Sequence, residues 1–415
     1  MHSKYIDLNQ NETVYDVAIV GGGIVGAATL YQLQMRFPEK KILLIEKEKH
    51  LAAHQTGHNS GVIHSGLYYK PGSKKAITCV KGRRALVKFS QEHNVIHEVC
   101  GKVVVASNES ELPFMEKIFN NGLANDTEGI EKISGDQLRE IEPECAGIAG
   151  IRVPCTGIID YVQATERMAE LTLAKQKNSK IVLGEAFVDT IDGEEVSQLI
   201  TDKNKYAVKH FIFCGGLQSD RLAKKDGVNA DMQIVGFRGD YYELTEQAIY
   251  KVKHLIYPVP NPEFPFLGVH FTRMTNGEIE CGPNAVFTFK REGYGKTDFD
   301  LKDTVDALTY GGTWKLFAKH WKFGLDEYKR AFSKRLFLNR LQKLIPSLTM
   351  DDIKPGRAGV RAMALGEDGE MIEDFVIEYG RNSIHVLNAP SPAATACLAI
   401  GEDIVEMAQE RFGLT

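Results

Sequence analysis

Three glycines and one acidic residue near the N-terminus have the types and spacing needed to bind a dinucleotide. Gly21 permits a tight turn, Gly23 lets the backbone approach a pyrophosphate, and Gly26 lets a helix pack closely on a strand. Glu46 follows Gly26 by twenty residues, where it can accept hydrogen bonds from ribose hydroxyls. The pattern predicts an adenine dinucleotide, and by itself it does not distinguish NAD from FAD.

The elements around this motif are a strand, a turn, a helix and a second strand. Tyr15–Val20 and Lys41–Glu46 are short apolar runs typical of buried strands, and Ala27–Arg36 has helical character. The free amides at the start of that helix attract an anion. Val17–Met35 holds no Asp, Glu, Lys or Arg and is nearly long enough to span a membrane, but its glycines indicate the strand-turn-helix instead.

A polar loop, His54–Tyr69, follows the second strand and concentrates imidazoles, hydroxyls, amides and glycines. Loops of this composition commonly contact ligands. His54 and His58 are four residues apart and could bind a metal from one helix face, but the glycines of the loop argue against a helix. Neither an HExxH nor a CxxC motif occurs, so no metal site is predicted.

The loop sequence HQTGHNSGVIH resembles the L-2-hydroxyglutarate dehydrogenase/oxidase family, which lies in the D-amino-acid-oxidase-like superfamily of FAD enzymes. The resemblance covers about 15–290 and 350–410. It implies FAD as cofactor and oxidation of L-2-hydroxyglutarate to 2-oxoglutarate, with electrons passed to quinone or another acceptor. Further runs that resemble the family are Gly101–Ala106, Phe237–Tyr242, Tyr257–Pro260, Pro265–His270 and Ser391–Thr395.

Two alternatives stay open at this stage. One is a related FAD-dependent oxidase or dehydrogenase of another small hydroxy acid, an amino acid or glycerol-3-phosphate, which would keep the FAD loops and change the substrate pocket. The other is a flavin-binding scaffold or a partner in tRNA modification without dehydrogenase chemistry. Turnover of a 2-hydroxy acid distinguishes them.

The C-terminal run has a physical interpretation beside the resemblance. Ser391 is suited to cap a helix and Pro392 to its first turn, so a helix is predicted from Ala393 to Met407. Its first amides favour the negative charge that a reduced flavin develops. The resemblance adds further residues to the FAD site: Thr56, Asn59, Ser60, Gly61, Val188, Cys214, Gly215, Ala393, Ala394 and Thr395.

Oxidation of a 2-hydroxy acid moves the hydrogen on C2 as hydride to the flavin while a base removes the hydroxyl proton. Histidine suits that base, and His64 is predicted for the role with His270 as its rival. Arginines suit the two substrate carboxylates because their forked donors match a carboxylate. Arg361 matches a carboxylate-binding position of related oxidases, although Ala362 replaces the usual proline. The other predicted substrate residues are Arg238, Arg273, Tyr241, Tyr242 and Tyr257.

The predicted fold class is α/β, with a discontinuous Rossmann-like FAD-binding domain and an inserted substrate domain built on a mixed β-sheet. The FAD-binding domain is predicted for 15–95, 150–235 and 355–415, and the substrate domain for 96–149 and 236–354. Residues 1–14 are predicted to be a flexible N-terminal extension. Ser134 and Gln137 have the spacing of a capping box that opens a short helix.

Composition limits the partners and the compartment. The 415 residues carry a net charge of -5, which argues against nucleic-acid binding, and seven scattered cysteines favour a reducing compartment. The N-terminus lacks the pattern of a secretory signal, so a cytoplasmic protein is expected.

One segment, 311–345, departs from this balance, with nine Lys or Arg against two acids. Trp314 and Trp321 fall on one face of an amphipathic helix there. Either this helix rests on the inner face of an anionic membrane, close to a quinone acceptor, or its aromatics pack on the substrate domain.

Overall fold

A computed structural model describes residues 13–260 and 268–415. Most of the predicted N-terminal extension, 1–12, and part of the family-like run before His270 lie outside the described residues.

The described chain alternates strands with helices. The strands are β1 Val14–Val20, β2 Ile42–Glu46, β3 Val62–Ile63, β4 His97–Glu98, β5 Lys102–Ala106, β6 Glu131–Ser134, β7 Ala149–Val153, β8 Gly157–Ile159, β9 Lys180–Leu183, β10 Phe187–Ile191, β11 Ser197–Thr201, β12 Lys205–Phe213, β13 Met232–Leu244, β14 Leu255–Pro258, β15 His270–Arg273, β16 Ile279–Gly282, β17 Val286–Phe287, β18 Ile353–Gly366, β19 Val376–Tyr379 and β20 Ser383–Asn388. The α-helices are α1 Ile24–Arg36, α2 Lys74–Glu92, α3 Leu112–Ala124, α4 Gly135–Ile141, α5 Tyr161–Lys175, α6 Ser219–Lys225, α7 Leu301–Thr309, α8 Gly311–Ala331, α9 Lys334–Leu341 and α10 Cys397–Phe412. Short 3-10 helices cover Glu109–Glu111, Gly216–Gln218, Ile249–Lys251 and Met350–Asp352.

The first sheet has eight strands among the described residues, drawn from three separated stretches of the chain. Strands β9, β2, β1, β12 and β20 are neighbours in parallel, and β10 and β11 extend the sheet in antiparallel fashion. The central strands are apolar along most of their length because helices cover them, and α1, α5 and α10 pack together on this side of the molecule. This arrangement confirms the predicted discontinuous Rossmann-like fold.

The second sheet is mixed, as predicted, with nine strands among the described residues. Strand β5 runs parallel to β14 and antiparallel to β7. Strand β18 pairs with β13 from Met232 opposite Gly366 to Leu244 opposite Ile353. Strands β7 and β18 therefore belong to the second sheet, whereas the sequence prediction assigned 150–235 and 355–415 to the FAD-binding domain. The long antiparallel ladder to β13 decides where β18 lies.

The capping box at Ser134 and Gln137 opens helix α4, as predicted. In the basic segment, helix α8 has non-helical backbone at His320, which divides it into two parts. No helix among residues 13–260 and 268–415 combines the length and apolar character needed to cross a bilayer.

Candidate active site

The glycine loop between β1 and α1 has the geometry that its sequence predicts. Gly21 has φ of +115°, and a side chain there would meet the carbonyl oxygen of Cys214 at 2.3 Å. A methyl group on Gly26 would lie 2.0 Å from the carbonyl oxygen of Gly21. At Gly23 nothing lies closer than the Thr56 hydroxyl at 3.5 Å. Two glycines thus permit close packing, and the third leaves the start of α1 open to a ligand.

Glu46 ends β2 directly beside this loop. Its carboxylate accepts the Gly22 N–H at 2.7 Å and the Glu48 N–H at 2.8 Å. The start of α1 has no side-chain N-cap, and the Ile24 N–H reaches instead to the Thr56 hydroxyl at 3.0 Å. The nucleotide loop and the polar loop are therefore held together at the helix end that attracts anions.

Hydrogen bonds fix the conformation of the polar loop. The Asn59 amide donates to the Thr56 carbonyl at 2.8 Å, and its oxygen accepts the Gly61 N–H at 2.8 Å. His58 is hydrogen-bonded to the Ala358 carbonyl at 3.0 Å and stacks on Tyr294. The polar loop thus contacts the start of α1 on one side and strand β18 of the second sheet on the other.

Arg357, which the sequence did not single out, joins this loop to the second sheet. Its guanidinium donates to the carbonyls of Gly57 at 3.0 Å and Asn59 at 2.6 Å and pairs with Glu280. In the sequence, Arg357 follows Pro355 and Gly356, a pattern typical of an exposed turn. The pairing of β18 with β13 brings Arg357 to the polar loop.

Glu48, His54 and Glu292 are close enough together to bind a metal ion. The Lys47 ammonium, however, contacts Glu48 at 3.0 Å and Glu292 at 2.7 Å, so a cation of the protein already pairs with both carboxylates.

The predicted start of the C-terminal helix is wrong. Residues 391–396 form turns, and α10 begins at Cys397. The turn forms hydrogen bonds with the polar loop in place of a further helical turn: the Thr395 hydroxyl accepts the His64 N–H at 3.0 Å and lies 2.9 Å from the Tyr161 hydroxyl. Gly82 of α2 has no side chain to block the turn, since a Cβ there would lie 2.5 Å from Ala396. This turn brings His64 next to the start of α10.

His64 and His270 lie near each other, with Lys102 and Arg361 beside them, and the space lined by these four side chains is called the recess. The pKa of His64 is lowered to about 3, because protein atoms surround it and because Lys102 and His270 lie nearby. The pKa of His270 is also lowered to about 3, by burial and by the charges of Arg361 and Lys102. His270 Nδ1 lies 2.8 Å from the Gly268 carbonyl, which can only accept a hydrogen bond. Both rings are therefore neutral at neutral pH, and Nε2 of His270 is an acceptor.

Lys102 is a second site residue that the sequence did not single out. It begins β5, is 2% exposed, and its ammonium lies 4.5 Å from the ring centre of Tyr68 and 4.9 Å from that of Tyr257. The Tyr257 ring in turn packs on His270, with ring centres 4.0 Å apart. The only signal in the sequence was a lysine within an otherwise apolar strand, Lys102–Ala106.

Of the three predicted arginines, one lies in this recess. The charge of Arg361 acts on His270, Tyr241 and Tyr257. Arg238 is buried and pairs with Asp240 at 2.9 Å, and Arg273 makes two contacts with Glu98, at 3.0 and 2.8 Å. The last two arginines thus have carboxylate partners within the protein, the common situation for an arginine in a strand.

His64, Tyr241 and Arg361 are partly exposed, so the recess is open to solvent. Tyr242 points to the other face of β13, where it packs on Phe337. Val188 is exposed on the edge strand β10.

The sequence pattern of the FAD dependent oxidoreductase family, DAO, matches residues 16–407. The chain belongs to this family. FAD is therefore the dinucleotide, as predicted. The open start of α1 at Gly23 and the carboxylate of Glu46 beside it fit the pyrophosphate and ribose of that cofactor.

Several proteins named L-2-hydroxyglutarate dehydrogenase are similar to this DAO-family chain over nearly its whole length. That of Indibacter alkaliphilus is 45% identical over 399 residues, covering 96% of this chain and 100% of the relative. The human mitochondrial protein is 42% identical, covering 96% and 90%, and that of Escherichia coli K12 is 42% identical, covering 95% and 93%.

Solved structures of enzymes from other organisms share the fold. L-α-glycerophosphate oxidase of Mycoplasma pneumoniae, solved with FAD bound, aligns with a TM-score of 0.77 at 23% identity, covering 95% of this chain and 94% of that one. Glycine oxidase of Geobacillus kaustophilus aligns with a TM-score of 0.70 at 15% identity, covering 97% and 98%.

The remaining predicted FAD-site residues surround the same region. Cys214 and Gly215 follow β12, where the Cys214 N–H donates to the Val20 carbonyl at 2.8 Å beside the glycine loop. Ser60 lies in the polar loop, and Ala393 and Ala394 lie in the turn before α10.

Proposed function

We propose that this chain oxidises L-2-hydroxyglutarate to 2-oxoglutarate with FAD as the hydride acceptor. The observation that carries the proposal is the recess itself, where two neutral imidazoles and two cationic side chains lie together and the His64 backbone is hydrogen-bonded to the turn before α10. The full-length similarity to L-2-hydroxyglutarate dehydrogenases from bacteria and human supports the substrate.

Each group has a chemical role in this proposal. Arg361 binds the carboxylate next to the reacting carbon, and the His64 ring accepts the hydroxyl proton as C2 becomes a carbonyl. FAD, when bound, takes the hydrogen of C2 as hydride. The glycine loop and Glu46 would hold the ADP half of FAD, and the turn 391–396 would lie beside its flavin half. Burial is the main cause of the lowered pKa of His64, and the charge of Lys102 adds to it; a bound dicarboxylate offsets that charge and makes the ring more basic.

A substrate panel tests this function. Purified holoenzyme is assayed with a dye acceptor on L-2-hydroxyglutarate, D-2-hydroxyglutarate, glycerol-3-phosphate and glycine. We expect kcat/KM for the L-isomer to exceed the others by at least about 100-fold. Faster turnover of glycerol-3-phosphate or glycine would instead indicate one of the related oxidases. No turnover of any hydroxy acid would favour a flavin-binding scaffold.

The role of His64 is tested against its neighbour. His64→Gln should slow flavin reduction by about 100-fold or more, the usual loss when a general base is removed, with FAD still bound. His270→Gln serves as the matched variant. Normal flavin reduction in His64→Gln together with a large loss in His270→Gln would assign the base to His270.

We also propose that the face formed by α7 and α8 rests on an anionic membrane, where a quinone receives the electrons. Phe317 packs on Phe287 at 5.1 Å between ring centres, but Trp314 and Trp321 are 58% and 56% exposed. Other exposed apolar side chains on these helices and beside them are Phe299, Leu301, Val305, Leu325 and Phe332. Tryptophan beside lysine is the composition of an interfacial helix.

Sedimentation with vesicles of phosphatidylcholine and phosphatidylglycerol tests the membrane proposal. The double variant Trp314→Ser, Trp321→Ser should remain in the supernatant while the wild type sediments. Tyr250→Ser removes an aromatic side chain that is also exposed but lies outside this face, and it should behave like the wild type. Equal sedimentation of a folded double variant and the wild type would refute the membrane role.

A further inference from the structure

Lys102 is an ammonium group buried without an anionic partner among the described residues. No carboxylate of residues 13–260 and 268–415 lies within the 4.0 Å of an ion pair. Its neighbours are the rings of Tyr68 and Tyr257. The nearby thiols of Cys79 and Cys155 keep their protons, because burial raises the pKa of both, to about 12 for Cys79. The part of the surroundings that the structure describes therefore supplies no negative charge to this cation.

A second buried lysine shows how the same protein treats a structural ammonium. Lys251 is 7% exposed, and it contacts the carboxylate of Asp352 at 3.2 Å and the carbonyl of Ser347 at 2.8 Å. A buried charge is costly unless it is paired and hydrogen-bonded. Lys251 meets this condition within the protein, whereas the contacts of the Lys102 ammonium among residues 13–260 and 268–415 are with aromatic faces.

The position of Lys102 directs its charge to the recess. Lys102 is opposite Leu255 in the parallel pair of β5 and β14, so its side chain lies on the same face of the sheet as Tyr257. His270 packs on Tyr257 from β15. The charge of Lys102 reaches both His64 and His270.

We propose that Lys102 binds the distal carboxylate of the substrate, while Arg361 binds the carboxylate next to the reacting carbon. This inference rests on the proposed function and extends it to the residue that selects a dicarboxylate over a monocarboxylate. The substrate supplies the anion that Lys102 lacks, and two cations in one recess match the two charges of the dianion.

The test compares two substrates that differ only in the distal charge: L-2-hydroxyglutarate and its distal amide, L-2-hydroxyglutaramate. Lys102→Met should raise KM for the diacid by about 10- to 100-fold and change KM for the amide by less than about threefold. Lys102→Arg should restore part of the preference. Calorimetric titration with glutarate, which cannot react, should show the same loss of affinity in Lys102→Met.

Two controls separate this inference from a defect in folding or in the proposed function. Lys251→Met should leave the ratio of diacid to amide unchanged, and flavin content should be equal in all variants. Equal losses on both substrates, or no change on either, would overturn the role of Lys102. A wild-type enzyme that does not oxidise L-2-hydroxyglutarate would instead overturn the proposed function.

Discussion

Replacement of Lys102 by methionine should make the protein more stable although less active. Burial lowers the pKa of Lys102 from 10.5 to about 8. A difference of about 2.5 in pKa corresponds to about 3 kcal/mol, which is the cost of holding this ammonium in the folded protein below pH 8. Methionine has a similar length and no charge, so the free energy of unfolding should rise by about 3 kcal/mol at pH 7.

The sign of the pH dependence follows from the same shift. Between about pH 8 and 10.5 the unfolded chain binds more protons at Lys102 than the folded one, so this residue makes stability increase with pH in that window. The advantage of Lys102→Met should therefore be full at pH 7 and shrink as the pH rises through 8 toward 10.5.

Denaturant unfolding of wild type, Lys102→Met and Lys251→Met, at one fixed excess of FAD and at about pH 7 and 9.5, measures these differences. Lys251→Met should lose stability, because it leaves the Asp352 carboxylate without its ammonium. A Lys102→Met protein that is less stable than the wild type at pH 7 would show that the ammonium has a stabilising partner, and would refute the reasoning.

Three further predictions follow from other contacts. The profile of kcat/KM against pH should show no fall on the acid side near pH 6.5, because His64 and His270 stay neutral down to about pH 3. The value of kcat/KM should decrease above about pH 8, where Lys102 loses its proton. A fall in kcat/KM near pH 6.5 would contradict this prediction. Gly26→Ala should be purified with little flavin, because the methyl group would lie 2.0 Å from the Gly21 carbonyl oxygen, and a normal ratio of visible to ultraviolet absorbance would contradict the packing argument. Asp220→Asn should lower the free energy of unfolding by about 3 to 5 kcal/mol, since it leaves the buried guanidinium of Arg291 without its carboxylate; a loss below about 1 kcal/mol in denaturant unfolding would contradict it.

The nucleotide end of the molecule could be predicted because its determinants are local. Gly21, Gly26 and Glu46 lie within one strand-turn-helix-strand unit, and the structure gives the glycines the close contacts that their spacing implies. The start of α10 was mispredicted, because Thr395 bonds to the distant His64 and not to its own helix. A capping pattern in the sequence does not reveal such a competing partner.

The substrate end depends on contacts that no local pattern encodes. Lys102 and Tyr257 become neighbours only through the pairing of β5 with β14, and Arg357 reaches the polar loop only through the pairing of β18 with β13. Arg238 and Arg273 have the right chemistry for a substrate carboxylate, but Asp240, two residues further along the same strand, pairs with the first and Glu98 pairs with the second. The pairing of Arg273 with Glu98, 175 residues apart, depends on tertiary structure, whereas the pairing of Arg238 with Asp240 is local and follows from their shared side of one strand.

The visible spectrum of the anaerobic holoenzyme, before and after addition of each enantiomer of 2-hydroxyglutarate, tests the central claim most directly. A yellow protein should be bleached by the L-isomer and left unchanged by the D-isomer, which would establish flavin, substrate and stereochemistry in one measurement. A yellow protein that L-2-hydroxyglutarate leaves unbleached, and that glycerol-3-phosphate or an amino acid reduces, would contradict the account.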